Sequence, residues 1–156
     1  MTDALATLPY VDEHSVVIDE DRTATWHALL QMVESAAPSR FARLLGCVDT
    51  EASGPRPLAP GSAVPGFHVV EAKRPERLVL AGSHRYSTYG LVFRLDDLGG
   101  GGGTRLRAET RAVFPGLPGV LYRAALMGAR AHAVATRRML ARVRRDAELR
   151  GMRARF

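Results

Sequence analysis

The chain is predicted to fold as a single α+β domain in which a curved antiparallel β-sheet wraps a long C-terminal α-helix. Three features carry that prediction: an alternating first strand followed by two short helical patterns, four strand-like runs separated by turn residues, and a C-terminal segment with an apolar front and an arginine back. Successive strands joined by short turns pair antiparallel, and a helix with one apolar stripe needs a layer to bury it against.

Taken in order, Tyr10 to Asp19 alternates, with Tyr10, Asp12, His14, Val16 and Ile18 on one face and Val11, Glu13, Ser15 and Val17 on the other. The acidic cluster Asp19, Glu20 and Asp21 suits a helix start. From Asp21, Trp26, Leu29, Leu30 and Val33 fall on one helical stripe. A second helix is expected from about Pro38, with Phe41, Leu44 and Leu45 apolar and Gly46 as its stop. Glu51 to Gly66 is crowded with Pro, Gly, Ala and Ser and has no period, so it is expected to be an extended, mobile loop.

The four strand runs are Phe67–Lys73, Arg77–Tyr86, Thr88–Leu95 and Arg105–Phe114, with turns at Arg74-Pro75-Glu76, Ser87-Thr88 and Gly99–Gly103. A two-residue turn at Ser87-Thr88 pairs Tyr86 with Tyr89, His84 with Leu91, Gly82 with Phe93 and Leu80 with Leu95, all on one face. The opposite face is the more polar, with Glu109 alternating among arginines in the last strand. The final helix is expected as one rod from near Pro118 to about Leu149, on the order of 45 Å long. Arg123, Arg130, Arg137 and Arg144 mark its wet back; Leu121, Ala125, Gly128, His132, Met139 and Val143 mark its front.

Composition narrows the function classes. A chain of 156 residues, 46% apolar and 24% charged, fits one globular domain spanning residues 1–156 with its core at 10–149. The single cysteine, Cys47, excludes an intramolecular disulfide and a multi-thiolate metal site, and suits a cytoplasmic setting. Met1 to Pro9 lacks the pattern of a signal peptide, and no apolar run approaches the roughly 20 residues of a membrane span, so no membrane insertion is expected. The net charge of +6 comes with Lys73 as the sole lysine, which points to arginine-rich coding bias. No aromatic residues interleave with the helical arginines, so no nucleic-acid partner is expected.

Particular segments then carry a family likeness: His14-Ser15-Val16-Val17-Ile18 running into Trp26-His27-Ala28-Leu29-Leu30, Gly66-Phe67-His68-Val69-Val70-Glu71, Arg77-Leu78-Val79-Leu80, Leu91-Val92-Phe93-Arg94-Leu95, and Thr104-Arg105-Leu106-Arg107-Ala108-Glu109-Thr110. Over nearly its whole length the chain resembles the helix-grip fold of the SRPBCC superfamily, which includes START-like and polyketide-cyclase-like proteins. The resemblance implies a cavity between sheet and helix and no particular reaction, because the superfamily has no shared catalytic signature.

Within such a cavity the expected walls are Leu80, Leu91, Phe93, Ala108, Leu121, Ala125, Gly128 and Met139. His84, Tyr86, Tyr89, Thr110 and His132 are the expected polar anchors, a sparse polar set in an apolar pocket being the usual make-up of a small-molecule site. His14 adds a third inward imidazole, but no HxH or HExxH spacing supports a metal, and no cofactor is expected. Gly99–Gly103 joins two strands and carries no lysine, unlike a phosphate loop. The expected function is binding or carriage of a small hydrophobic or aromatic molecule. Two alternatives are a polyketide cyclase/aromatase-like enzyme using His132 or His84 as general acid or base, and an apolar face that meets a second copy of the chain as a homodimer.

Overall fold

The computed structural model describes residues 5–128 and 130–156. Strand β1 (Tyr10–Ile18) leads into α1 (Arg22–Glu34) and α2 (Ser39–Leu45). Strands β2 (Ala63–Val64), β3 (Phe67–Lys73), β4 (Arg77–His84), β5 (Ser87–Asp97) and β6 (Thr104–Val113) follow, then α3 (Gly116–Gly128) and α4 (Ala131–Ala154). All strand pairs are antiparallel in the order β1-β6-β5-β4-β3-β2, so the first strand closes the sheet beside the last. The fold is the α+β arrangement expected, with the C-terminal helix packed on the sheet.

Local chemistry explains the early elements. Asp21 caps α1 by accepting from the Ala24 N–H at 2.7 Å, which satisfies one of the donors left open at a helix start. Gly46 ends α2 with φ of 72°, a left-handed conformation natural to glycine. Residues from α1, the inner sheet face and α4 meet in one core, in which Ile18, Leu29, Leu78, Phe93, Leu106 and Val143 are wholly buried. Thr136, Leu140, Val143 and Ala147 form the buried stripe of α4, and Arg137, Arg144 and Arg145 face solvent as expected. The C-terminal end of α4 is pinned to the β1–α1 turn: Glu148 accepts from the Asp19 N–H at 3.1 Å, and Arg155 donates to Glu20 at 3.1 Å.

Four expectations are corrected. The β4–β5 turn falls at Arg85-Tyr86, so His84 pairs with Ser87, Gly82 with Tyr89, Leu80 with Leu91 and Leu78 with Phe93. Because the slip is an even number of residues, every side chain keeps its face even though its partner changes. Gly82 does make room for an aromatic ring, but the ring is Tyr89: a Cβ at Gly82 would stand 2.7 Å from Tyr89 Cε2 and would also strike the Gly66 carbonyl.

The C-terminal rod is broken. α3 and α4 are separate helices, and Arg130 before α4 is held at φ of 54°. Gly128 lowers helix propensity at that point, and the left-handed Arg130 separates α3 from α4, whose own stripe packs on the core.

The outer sheet face is not simply wet. Leu5 from the N-terminal segment packs with Val79 and Val92, joined by Leu8, Val70 and Ala81. Beside that patch Glu109 is nearly buried and accepts from Arg94 at 2.8 Å and Arg111 at 2.5 Å.

The segment 51–66 is braced. It holds strand β2 against β3, its Leu58 and Ser62 are buried, the Ser62 hydroxyl donates to the Pro55 carbonyl at 2.6 Å, and Arg56 donates to the Ser53 and Ala63 carbonyls. Hydrogen bonding, not hydrophobic period, organises it, and that signal is not visible as a pattern in sequence.

Candidate functional site

The middle of the sheet–helix interface is solid, and the space lies at one end of it. Beneath the α3–α4 junction is an open pocket of about 200 Å³. His84, Ser87, Tyr89, Thr110 and Ala112 line it from the sheet, Phe114 and Tyr122 from the segment above, His132 from the first turn of α4, and Leu45 from α2.

An aromatic cluster shapes one wall. Tyr122 stacks on Tyr86 with ring centres 5.4 Å apart and planes at 19°, and His84 meets Tyr122 edge-on at 5.1 Å. Tyr89 lies 5.4 Å from His84 and edge-on to Phe67 at 5.2 Å. Such offset and edge contacts add to simple area burial and fix ring orientation. The Tyr89 hydroxyl donates to the Gly66 carbonyl at 2.7 Å, and burial, with Cys47 nearby, pushes its ionisation far above the ordinary tyrosine range. Burial likewise raises Tyr122, so both rings are neutral at physiological pH.

The opposite wall holds a polar network. A bulge between Tyr10 and Asp12 in the β1–β6 pairing brings Asp12 opposite Thr110, where it meets two imidazoles. His132 Nε2 is 3.2 Å from Asp12 Oδ1 and 3.1 Å from Thr110 Oγ1; His14 Nε2 is 3.1 Å from Asp12 Oδ2. The Asp12 and Thr110 contacts fall on the same ring nitrogen of His132. A hydrolase-type triad needs its acid and its nucleophile on opposite nitrogens, so this is not one. His84 is separate: its Nδ1 accepts from the Tyr86 backbone N–H at 3.1 Å, and burial holds its pKa below the ordinary histidine value.

Of the residues expected in a pocket, His84, Tyr89, Thr110 and His132 converge here. Tyr86 stands behind Tyr122 rather than on the lining. Leu80, Leu91, Phe93 and Ala108 belong to the filled core, and Met139 packs against it, because the α4 stripe closes directly on the sheet. Leu121 is 62% exposed and Ala125 is exposed, so neither forms a wall. Gly128 lies outside the residues whose side chains are described.

Sequence reasoning missed Asp12, Leu45, Ser87, Ala112, Phe114 and Tyr122. Asp12 had a visible signal, its position on the same strand face as His14; Tyr122 had none once the C-terminal helix was read as unbroken.

Two further observations bound the site. Among the described residues no group of three or more His, Cys, Asp or Glu side chains is placed to hold a metal ion, and no helix is long and apolar enough to cross a membrane. A larger groove of about 460 Å³ runs between α1 and the 51–66 segment past Trp26, Leu58 and Arg150. Two of its rim charges are engaged, Arg74 donating to His27 at 2.9 Å and Arg56 pairing with Glu34 at 3.0 Å.

No family model matches the sequence, and no curated protein matches it either. Solved structures do. A protein from Nitrosomonas europaea is similar over 90% of this chain and 96% of its own, with 12% identity and a TM-score of 0.58. An uncharacterised protein from Rhizobium leguminosarum is similar over 91% and 97%, with 15% identity and a TM-score of 0.57. A third, from Nitrosospira multiformis, covers 88% and 95% at 14% identity and a TM-score of 0.57. At these identities the likeness shows a shared fold and nothing further.

Proposed function

We propose that this protein binds a small apolar or aromatic molecule in the pocket beneath the α3–α4 junction, as a carrier of the helix-grip, SRPBCC-like type acting in the cytoplasm. The observation that carries this reading is the convergence of residues from α2, β4, β5, β6, α3 and α4 on one aromatic-walled space with uncharged or imidazole polar groups. A dry cavity of about 150 Å³ accepts benzene. At about 200 Å³, this open pocket has room for one substituted ring.

Native mass spectrometry of protein purified from its own host tests the reading. The expected result is a bound mass of one small organic molecule that disappears in Ala112→Phe, where the new ring fills the pocket. An adduct that survives in the folded variant contradicts it.

A specific contact supports an acid–base enzyme as the second reading: His132 is held by a carboxylate while lining the pocket. A carboxylate partner orients an imidazole and stabilises its protonated form. That reading requires turnover of the bound molecule, lost in His132→Ala; carriage requires none.

A further inference from the structure

The two imidazoles in the pocket are fixed as to which nitrogen carries a proton. His84 Nδ1 accepts from the Tyr86 N–H, so in the neutral ring the proton sits on Nε2. Protonating Nδ1 would set two donors against each other, and burial already disfavours the cation. His84 therefore presents an N–H donor and no acceptor.

On the opposite wall Asp12 faces His132 Nε2, and an ionised carboxylate only accepts, so Nε2 carries the hydrogen and shares it between Asp12 and Thr110. Thr110 Oγ1 thus receives from His132. Its own hydroxyl can then donate to a molecule in the pocket it lines. Ser87 and Tyr122 hydroxyls rotate and can serve either role. The donors that the sheet side of the pocket offers are therefore His84 N–H and Thr110 O–H.

No permanently charged side chain belongs to the described lining. No Arg or Lys reaches it, and the one nearby carboxylate, Asp12, is behind His132 and occupied by two imidazoles. A buried carboxylate or ammonium without a partner pays a large desolvation cost, whereas a neutral acceptor receives a hydrogen bond at little penalty.

We infer that the pocket selects a neutral single-ring molecule bearing a hydrogen-bond acceptor, an aryl carbonyl compound, over its carboxylate and ammonium counterparts. The inference rests on the pocket being a binding site, and its test separates the two claims.

Four probes of similar size are titrated at pH 7.5 against the whole chain and followed by amide NMR shifts: acetophenone, ethylbenzene, benzoate and benzylammonium. Acetophenone is expected to bind roughly five- to tenfold more tightly than ethylbenzene, the worth of one or two net hydrogen bonds, and both charged probes more weakly than ethylbenzene. His84→Phe, which keeps a ring but loses the N–H, and Thr110→Val, which is nearly isosteric, should each shrink the acetophenone-to-ethylbenzene ratio toward one. If either variant fails to fold, the wild-type ranking alone decides. Equal affinity for acetophenone and ethylbenzene, or tighter binding of a charged probe, overturns the inference while leaving the pocket a binding site. Failure of all four probes to bind the folded protein removes both claims.

Discussion

The polarity of the site is decided by single contacts. One backbone N–H, that of Tyr86, sets the tautomer of His84, and one carboxylate, Asp12, sets that of His132. On the far side of the sheet the same logic governs Glu109. Burial alone would raise its pKa, but hydrogen bonds and charge from Arg94 and Arg111 outweigh burial and hold it below the usual glutamate value. A carboxylate with a depressed folded-state pKa adds stability at pH above its unfolded value, about 4.3, and that contribution fades as pH falls through the folded value. We predict that Glu109→Gln is less stable than wild type at pH 7 by about 1–3 kcal/mol, and that the gap narrows in urea melts below about pH 4. A gap that stays constant with pH would show that Glu109 acts through packing alone.

At the scale of elements, the decisive feature is the break before α4. Arg130 occupies a left-handed conformation that costs an L-residue roughly 1 kcal/mol or more, while its side chain stands in solvent. Replacing it with glycine removes that cost, partly offset by the freer unfolded chain. Arg130→Gly should raise the urea midpoint by the equivalent of about 0.5–1 kcal/mol at unchanged slope. A loss of stability would mean that the left-handed turn is not the native conformation.

Much of this level was legible in the sequence. Alternation identified β1, β3, β4, β5 and β6 and their inward faces, and the Asp21 and Gly46 signals placed α1 and α2. The exact pairing of β4 with β5 was not legible, because neither Arg85-Tyr86 nor Ser87-Thr88 carries the Asn or Gly that marks a tight hairpin. Nor was the helix break, since the seven-residue recurrence of arginine runs straight through it, from Arg123 to Arg144. Arginine spacing reports a wet surface, and a wet surface continues across a turn.

For the molecule as a whole, those two misreadings displaced the expected site. An unbroken helix puts the space along the middle of the sheet, where the structure instead packs Phe93, Leu106 and Val143 with no exposure. The break moves the space to the sheet end and lets Tyr122 close over it. His84, Tyr89, Thr110 and His132 still line the space and Tyr86 does not, because a four-residue shift of pairing partners preserves strand parity. The apolar walls did not, because a wall depends on where the void is, which is set by packing in three dimensions.

The position of the void is best tested by a crystal structure of the protein soaked in bromobenzene, with the bromine located by its anomalous signal. The ring should lie between Tyr122 and Ala112, within reach of Thr110 and His84. Bromine found only in the groove beside Trp26 and Arg150, or nowhere in a well-ordered crystal, would contradict the account.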